Sequence, residues 1–202
     1  MNSVNRLIDF ALQEDLGPGD ITTDATVSPD AAGTAEVVAK ENFTLAGLEI
    51  ARKVFERVDG QLSFYSEYKD GARIEKGLVV FSVEGTLSSI LKGERTALNF
   101  IQRLSGIATL TGRYADAVQS KSAHIVDTRK TTPGWRTLEK YAVRIGGGSN
   151  HRMGLYDGVL IKDNHIAACG GIRKAVERAR RNVHHLVKIE VEVSDMAEVA
   201  EA

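Results

Sequence analysis

Val159-Leu-Ile-Lys-Asp-Asn-His165 is a short apolar run that ends in charge. It is followed by a helical pattern at 172–182 and then by Leu186-Val-Lys-Ile-Glu-Val-Glu-Val193. The same rhythm starts earlier, where Ile125 and Val126 precede Asp127-Thr-Arg-Lys-Thr-Thr-Pro-Gly134 and a helix is expected over 137–145. A further helix is expected to begin near Asp195. Three successive β-α units favour parallel strands with right-handed crossovers, as in an α/β barrel or a doubly wound sheet. In the last strand Ile189, Val191 and Val193 take one face, while Glu190 and Glu192 share the other.

Parallel α/β folds bind ligands at the carboxyl ends of their strands. Asp127, Thr128, Arg129 and Lys130 fall just past the first strand, and Lys162 to His165 just past the second. Residues 127–165 carry seven Lys/Arg against four Asp/Glu, a local balance of +3 in a chain whose net charge is −1. Arg129, Lys130, Arg152 and Lys162 suit a small polyanion, with arginine giving forked contacts and lysine a point charge. Taken singly, each is as readily a solvated surface cation. Glu190 and Glu192 suit either Mg²⁺, held with waters and a substrate phosphate, or pairing with nearby Lys and Arg. Gly146-Gly-Gly148, ahead of Ser149-Asn-His-Arg152, reads as a flexible loop that lets backbone approach a ligand. It matches neither Gly-x-Gly-x-x-Gly nor a Walker lysine motif. His184-His185 lacks the ladder of ligands that zinc requires, and Cys169 reads as a packing residue.

Upstream the pattern is different. Ser3 can cap a helix with Val4, Leu7, Ile8, Ala11 and Leu12 on one face, broken by Leu16-Gly-Pro-Gly-Asp20. Strands are expected at 34–40, 62–68 and 78–83, and a helix at 48–58. Residues 88–119 read as helical, with an apolar stripe at Leu91, Leu98, Ile101 and Leu104, and with Gly106 dividing two helices. The fold class is therefore α/β: an N-terminal α+β sandwich with its helical connection (1–119), then part of a parallel α/β barrel (120–202).

The bulk properties limit the function. At 202 residues the chain can bury a real core. A net charge of −1 argues against nucleic acid as the partner. The sequence has no run of eighteen apolar residues, which argues against a membrane span, and its first residues lack the layout of a signal peptide. One cysteine cannot form an internal disulfide. A cytoplasmic enzyme or binding protein is expected.

Several stretches closely resemble one family, the quinolinate phosphoribosyltransferases. They are Glu14-Asp-Leu-Gly-Pro-Gly-Asp-Ile-Thr-Thr-Asp24, Gly93-Glu-Arg-Thr-Ala-Leu-Asn99, Asp127 to Gly134, Lys140-Tyr-Ala-Val-Arg144, Gly146 to Gly154, Leu160 to His165 and Ile189-Glu-Val-Glu192. The resemblance implies a homodimer that converts quinolinate and phosphoribosyl pyrophosphate into nicotinate mononucleotide, carbon dioxide and pyrophosphate, with Mg²⁺. It implies that Arg129, Lys130, His151, Arg152 and Lys162 surround the quinolinate carboxylates, with Thr128 beside them. Lys130, Lys162 and Glu192 are the expected catalytic residues. Glu192, aided by Glu190, would serve the ribose and Mg²⁺ end, and Arg95 would reach into the neighbouring subunit's site. Family members continue with further β-α units past the equivalent of Glu192. The chain thus reads as C-terminally truncated: a fragment, or a subunit whose partner supplies the rest. Two other readings are a catalytically inactive subunit that only dimerises or binds carboxylates, and a phosphoribosyltransferase-like relative from molybdenum-transport operons.

Overall fold

The computed structural model describes residues 3–119 and 122–202. It divides into two compact units, Met1–Asn150 and His151–Ala202.

The first unit opens with α1 (Ser3–Leu16), whose Ile8 and Leu12 are buried with Val4, Leu7 and Ala11 packed beside them, so the expected face is the one used. Asp20 then caps a short helix, α2 (Ile21–Thr26), by accepting from the Thr23 amide and hydroxyl. Those bonds hold the Asp20 carboxyl below its ordinary range. Strands β1 (Ala32–Val38), β3 (Ser63–Tyr65) and β5 (Val79–Thr86) form an antiparallel sheet in the order β1-β5-β3. Strands β2 (Phe43–Thr44) and β4 (Arg73–Ile74) pair separately. The central strand β5 buries Val80, Phe81 and Val83, as a middle strand between covering layers should. Helix α3 (Leu48–Val58) adds Ile50, Ala51, Val54 and Phe55, and Phe55, Phe64 and Phe81 cluster with centroids 4.7–6.2 Å apart.

Helix α4 (Leu87–Val118) corrects one expectation. It is a single 32-residue helix that runs through Gly106 without a break. Its buried positions Ile90, Ala97, Ile101, Leu104 and Ala108 form a continuous inward stripe, and that packing outweighs the roughly 1 kcal/mol cost of a helical glycine. Leu91, expected on the inner face, is 44 % exposed; Ile90 takes the place. Helix α5 (Arg136–Ile145) packs Leu138 and Ala142 into the same core, and Trp135 stacks on Phe100 of α4 at 4.9 Å. This is why the contacts carry the first unit to residue 150. The boundary read from the sequence, 119/120, lies well before that point.

The expected strand at Ile125–Val126 is reduced to one parallel bridge between Val126 and Ser149. The Ser149 amide donates to Ile125 (2.8 Å), and the Asp127 amide donates to Ser149 (3.1 Å). Asp127 is thereby fixed where the strand would end.

The second unit is a pair of β-α elements. Strands β6 (Val159–Ile161) and β7 (Ile189–Val191) pair in parallel, Val159 opposite Ile189 and Ile161 opposite Val191. Helices α6 (Asp163–Cys169), α7 (Ile172–Asn182) and α8 (Met196–Glu201) follow. The core is small: Ile161, Ile172, Ala175 and Val176, with Cys169, Ile189, Val191 and Val193 packed against it. Glu190 on β7 and Glu192 just past it are both exposed, alternating with the packed Ile189, Val191 and Val193.

Candidate active site

In the first unit the candidate residues lie in the loop between Asp127 and α5. Lys140 of α5 is 1 % exposed, and its ammonium is ion-paired with Asp127, itself 7 % exposed. Asn150 donates to the other Asp127 oxygen and, at 2.8 Å, to the Lys140 carbonyl. Next along the loop, Thr128 is exposed and its hydroxyl accepts from the Lys130 amide at 3.0 Å, which makes a tight local turn. Arg129 is half-buried, and its Nε is fully buried with no hydrogen-bond partner among the described residues. Lys130 points its charge from an exposed position. Arg95 is exposed on α4.

Gly146 and Gly148 have a role other than the one expected. A Cβ on Gly146 would lie 2.3 Å from the Ala108 carbonyl oxygen, and one on Gly148 would lie 2.8 Å from Val143. Both glycines let α5 and its exit close against α4, so the glycine run serves packing.

In the second unit four predicted residues meet in two pairs. Lys162 Nζ donates to Glu192 at 2.6 Å, and His151 Nε2 lies 2.9 Å from Glu190 Oε2. Glu192 thus meets a lysine, while the neighbour of Glu190 is a histidine. Arg152 donates through Nη1 to Gly158 O at 3.1 Å, but its Nε, like that of Arg129, is buried and without a hydrogen-bond partner among the described residues. Asp157 accepts from the Met153 and Gly154 amides at 2.7 and 2.9 Å and so closes the loop that carries Arg152. His165 Nδ1 accepts from the Lys162 amide at 3.0 Å and fixes the first turn of α6, leaving Nε2 to carry the proton of the neutral ring.

Asp127, Lys140 and Asn150 stand in the motifs quoted from the sequence and Glu139 among its counted charges, but none carried an assigned role there, and Arg103 was passed over. The available signal was the helical phase of α5. Lys140 lies two residues from both Leu138 and Ala142, about 200° round the helix, which is buried on its opposite face as well. A cavity of about 420 Å³ in the first unit is lined by Val37, Phe43, Leu98, Ile101, Ser105 and Arg113 among others, and by none of the predicted site residues. Among the described residues no three His, Cys, Asp or Glu side chains converge as a metal cluster, and no helix is long and apolar enough to cross a membrane.

Arg129 sits in the loop after the Val126 bridge and Arg152 in the loop ahead of β6, each with a buried Nε, and the fold that carries them is of the mixed α/β class. Two family models place it further. The quinolinate phosphoribosyl transferase N-terminal domain matches residues 20–105, and the C-terminal domain of the same family matches 107–202. The chain belongs to the quinolinate phosphoribosyltransferase family, a group of glycosyltransferases of the phosphoribosyltransferase type. It is 45 % identical over 199 residues to a probable nicotinate-nucleotide pyrophosphorylase [carboxylating] of Bacillus subtilis (strain 168), covering 98 % of this chain and 68 % of that protein. A Synechocystis protein of the same description is 47 % identical over 191 residues, covering 95 % of this chain and 64 % of its own length. The solved nicotinate-nucleotide pyrophosphorylase of Francisella tularensis superposes with a TM-score of 0.94 at 40 % identity, covering 98 % of this chain and 70 % of that one. The chain thus spans roughly two thirds of the length of these relatives.

Proposed function

We propose that this chain transfers the phosphoribosyl group of phosphoribosyl pyrophosphate to quinolinate, giving nicotinate mononucleotide, carbon dioxide and pyrophosphate in NAD biosynthesis, and that it acts in the cytoplasm. The observation that carries this reading is the pair of orphaned arginine Nε atoms. Leaving a buried charged donor unpaired is costly, and a carboxylate ligand would satisfy each fork. Quinolinate is a dianion, and both arginines belong to the set that family membership nominates.

In this mechanism Arg129, Lys130, His151, Arg152 and Lys162, the cations that family membership nominates, bind and orient the dicarboxylate. The ring nitrogen attacks the anomeric carbon as the bond to pyrophosphate breaks, its electron pair leaving with the pyrophosphate. Positive charge that develops on the ribose is stabilised by Glu192 and Glu190. The ring is then a pyridinium. The bond to the carboxylate beside the ring nitrogen breaks, its electron pair passes into the cationic ring, and the ring carbon takes a proton from water. No protein nucleophile is required. Glu192, with Glu190, also fits a Mg²⁺ role: Mg²⁺ keeps its waters and needs only one or two carboxylates beside substrate phosphates, and both side chains are exposed. That ion supplies charge neutralisation for the departing pyrophosphate.

We further propose a homodimer in which Arg95, exposed on α4, reaches the neighbouring subunit's site. The test is release of labelled carbon dioxide from quinolinate by the purified chain. Release is expected only when phosphoribosyl pyrophosphate and Mg²⁺ are both present. Lys130→Ala should reduce turnover strongly, and near-wild-type kinetics would remove its assigned role. Mixing inactive Arg95→Ala with inactive Lys130→Ala should restore activity, because a mixed dimer rebuilds one complete site. Two variants that stay inactive after demonstrated subunit exchange would rule out the crossed arrangement.

A further inference from the structure

The segment that carries Arg129 and Lys130 is fastened at both ends, and the downstream fastening has no part in the chemistry above. Its centre is Arg103 on α4. The guanidinium donates to the Thr132 hydroxyl and to Glu139 on α5, and it lies 5.0 Å from the centroid of the Trp135 ring. Glu139 in turn accepts from the Thr132 amide at 3.2 Å, so Thr132 is held through its backbone and its side chain together. Trp135 is itself stacked on Phe100 from below. At the upstream end, Asp127 is fixed by Lys140 and Asn150.

Only four residues, 128–131, separate the two anchors, and they have internal ties as well. The Lys130 amide donates to Thr128, the Thr131 amide donates to Arg129 O at 3.0 Å, and the Thr131 hydroxyl accepts from Arg136 at 3.1 Å. A span this short has little slack, so the position of its ends sets the direction of Arg129 and Lys130. An error of an ångström in placing substrate-binding groups is enough to cost activity.

We propose that Arg103 is a positioning residue for Arg129 and Lys130. It holds the downstream end of their loop by bridging Thr132 and Glu139 while it covers Trp135. The role favours arginine, since its Nη2 donates to both acceptors while the planar guanidinium lies over the indole; a lysine ammonium has donors for both acceptors but no plane to lay on the ring. An isolated exposed ion pair contributes little. This one differs because it closes on a backbone amide and an aromatic stack, both of which belong to the loop.

The effect on catalysis rests on the proposed reaction, so the experiment reads loop order independently of activity. Backbone amide exchange across 128–134 is compared in the wild type, Arg103→Met and Arg103→Lys, with α3 as the internal reference. For Arg103→Met the loop amides should exchange roughly tenfold faster while α3 is unchanged, with Arg103→Lys in between. In the carbon dioxide assay, KM for quinolinate should rise for Arg103→Met while KM for phosphoribosyl pyrophosphate stays at the wild-type value. Unchanged loop exchange in a folded Arg103→Met overturns the proposal. So does faster exchange with an unaltered KM for quinolinate. Should Arg103→Met fail to fold, Glu139→Gln removes the charge of the pair but keeps an acceptor for Thr132. Faster loop exchange is expected there too, and none overturns the proposal. A wild-type chain that releases no carbon dioxide refutes the reaction alone, because the exchange measurement still decides the role of Arg103.

Discussion

In the first unit the lysine that organises the site is buried and committed to Asp127, while Arg129 and Lys130 are carried on a loop fixed by other residues. In the second unit the same chemical type is used the opposite way. Lys162 and His151 are themselves candidate ligand-binding groups, and each is paired at rest with an exposed carboxylate, Glu192 just past β7 and Glu190 on it. The first arrangement separates support from the candidate binding groups, and Arg129 and Lys130 have no ion-pair partner among the described residues to give up to an anion. In the second, support and recognition share the same side chains, and an incoming anion has to compete with Glu190 and Glu192. The cores match this division. The first unit buries the α1, α3, α4, α5 and β5 residues around one continuous centre, whereas the second buries four apolar residues.

The largest expected effect tests the support side. Lys140→Met leaves Asp127 buried with its strongest partner removed, and losing one member of a buried pair costs about 3–5 kcal/mol. Urea unfolding should show a loss of that order. Replacing both partners, as Asp127→Leu with Lys140→Met, should recover part of it, since no lone charge is then left inside. A Lys140→Met protein as stable as the wild type would mean that the pair does not support the loop, and the contrast between the units would fail.

How much of this could be read beforehand depends on what each feature rests on. Helices α3 and α7 and strand β6 follow from local periodicity, and each was expected at the bounds the structure shows. The burial of the two helices runs with the 3.6-residue repeat, and β6 is a three-residue apolar run with Ile161 buried. The continuity of α4 could not be read locally, because Gly106 breaks a helix by propensity and only tertiary packing along Ala97 to Ala108 reverses that. The loss of the 125–126 strand is similar: its partner, Ser149, is 23 residues on and lies outside any regular pattern. The candidate cations were legible because charge following an apolar run is a local signal. The network behind them was not. Arg103 is a single polar residue on a long helix, and Glu139 and Trp135, its partners, are more than thirty positions away.

A smaller effect concerns the downstream anchor. Burial pushes the Glu139 carboxyl up, but hydrogen bonds from Arg103 and Thr132 outweigh it and leave the group below its ordinary value of 4.5. The folded value is thus below the unfolded one. The stabilisation from this anchor is fully present above pH 4.5 and is lost as pH falls through the lowered folded value. Trp135 is the chain's only tryptophan, so its emission reports the stack directly. A change in emission below pH 4.5 that precedes global unfolding, and that is absent in Glu139→Gln, is the expected result. Identical acid titrations of the two proteins would detach Glu139 from the anchor.

The smallest effect lies in the second unit, where it is most informative. Lys162 is 40 % exposed and Glu192 57 %, so their 2.6 Å pair is screened by solvent and contributes under about 1 kcal/mol. Lys162→Met should therefore unfold at nearly the wild-type urea concentration, while its KM for quinolinate rises if Lys162 meets the ligand. Glu192→Gln separates the two duties of Lys162. It removes the resting competitor, so quinolinate binding in the absence of the second substrate should tighten slightly, even as turnover falls through loss of the carboxylate. Weaker binding in Glu192→Gln would instead mean that Glu192 holds Lys162 in its binding position. The second unit would then use its pair as support, as the first uses Lys140 and Asp127, and the contrast between the two would be one of burial alone.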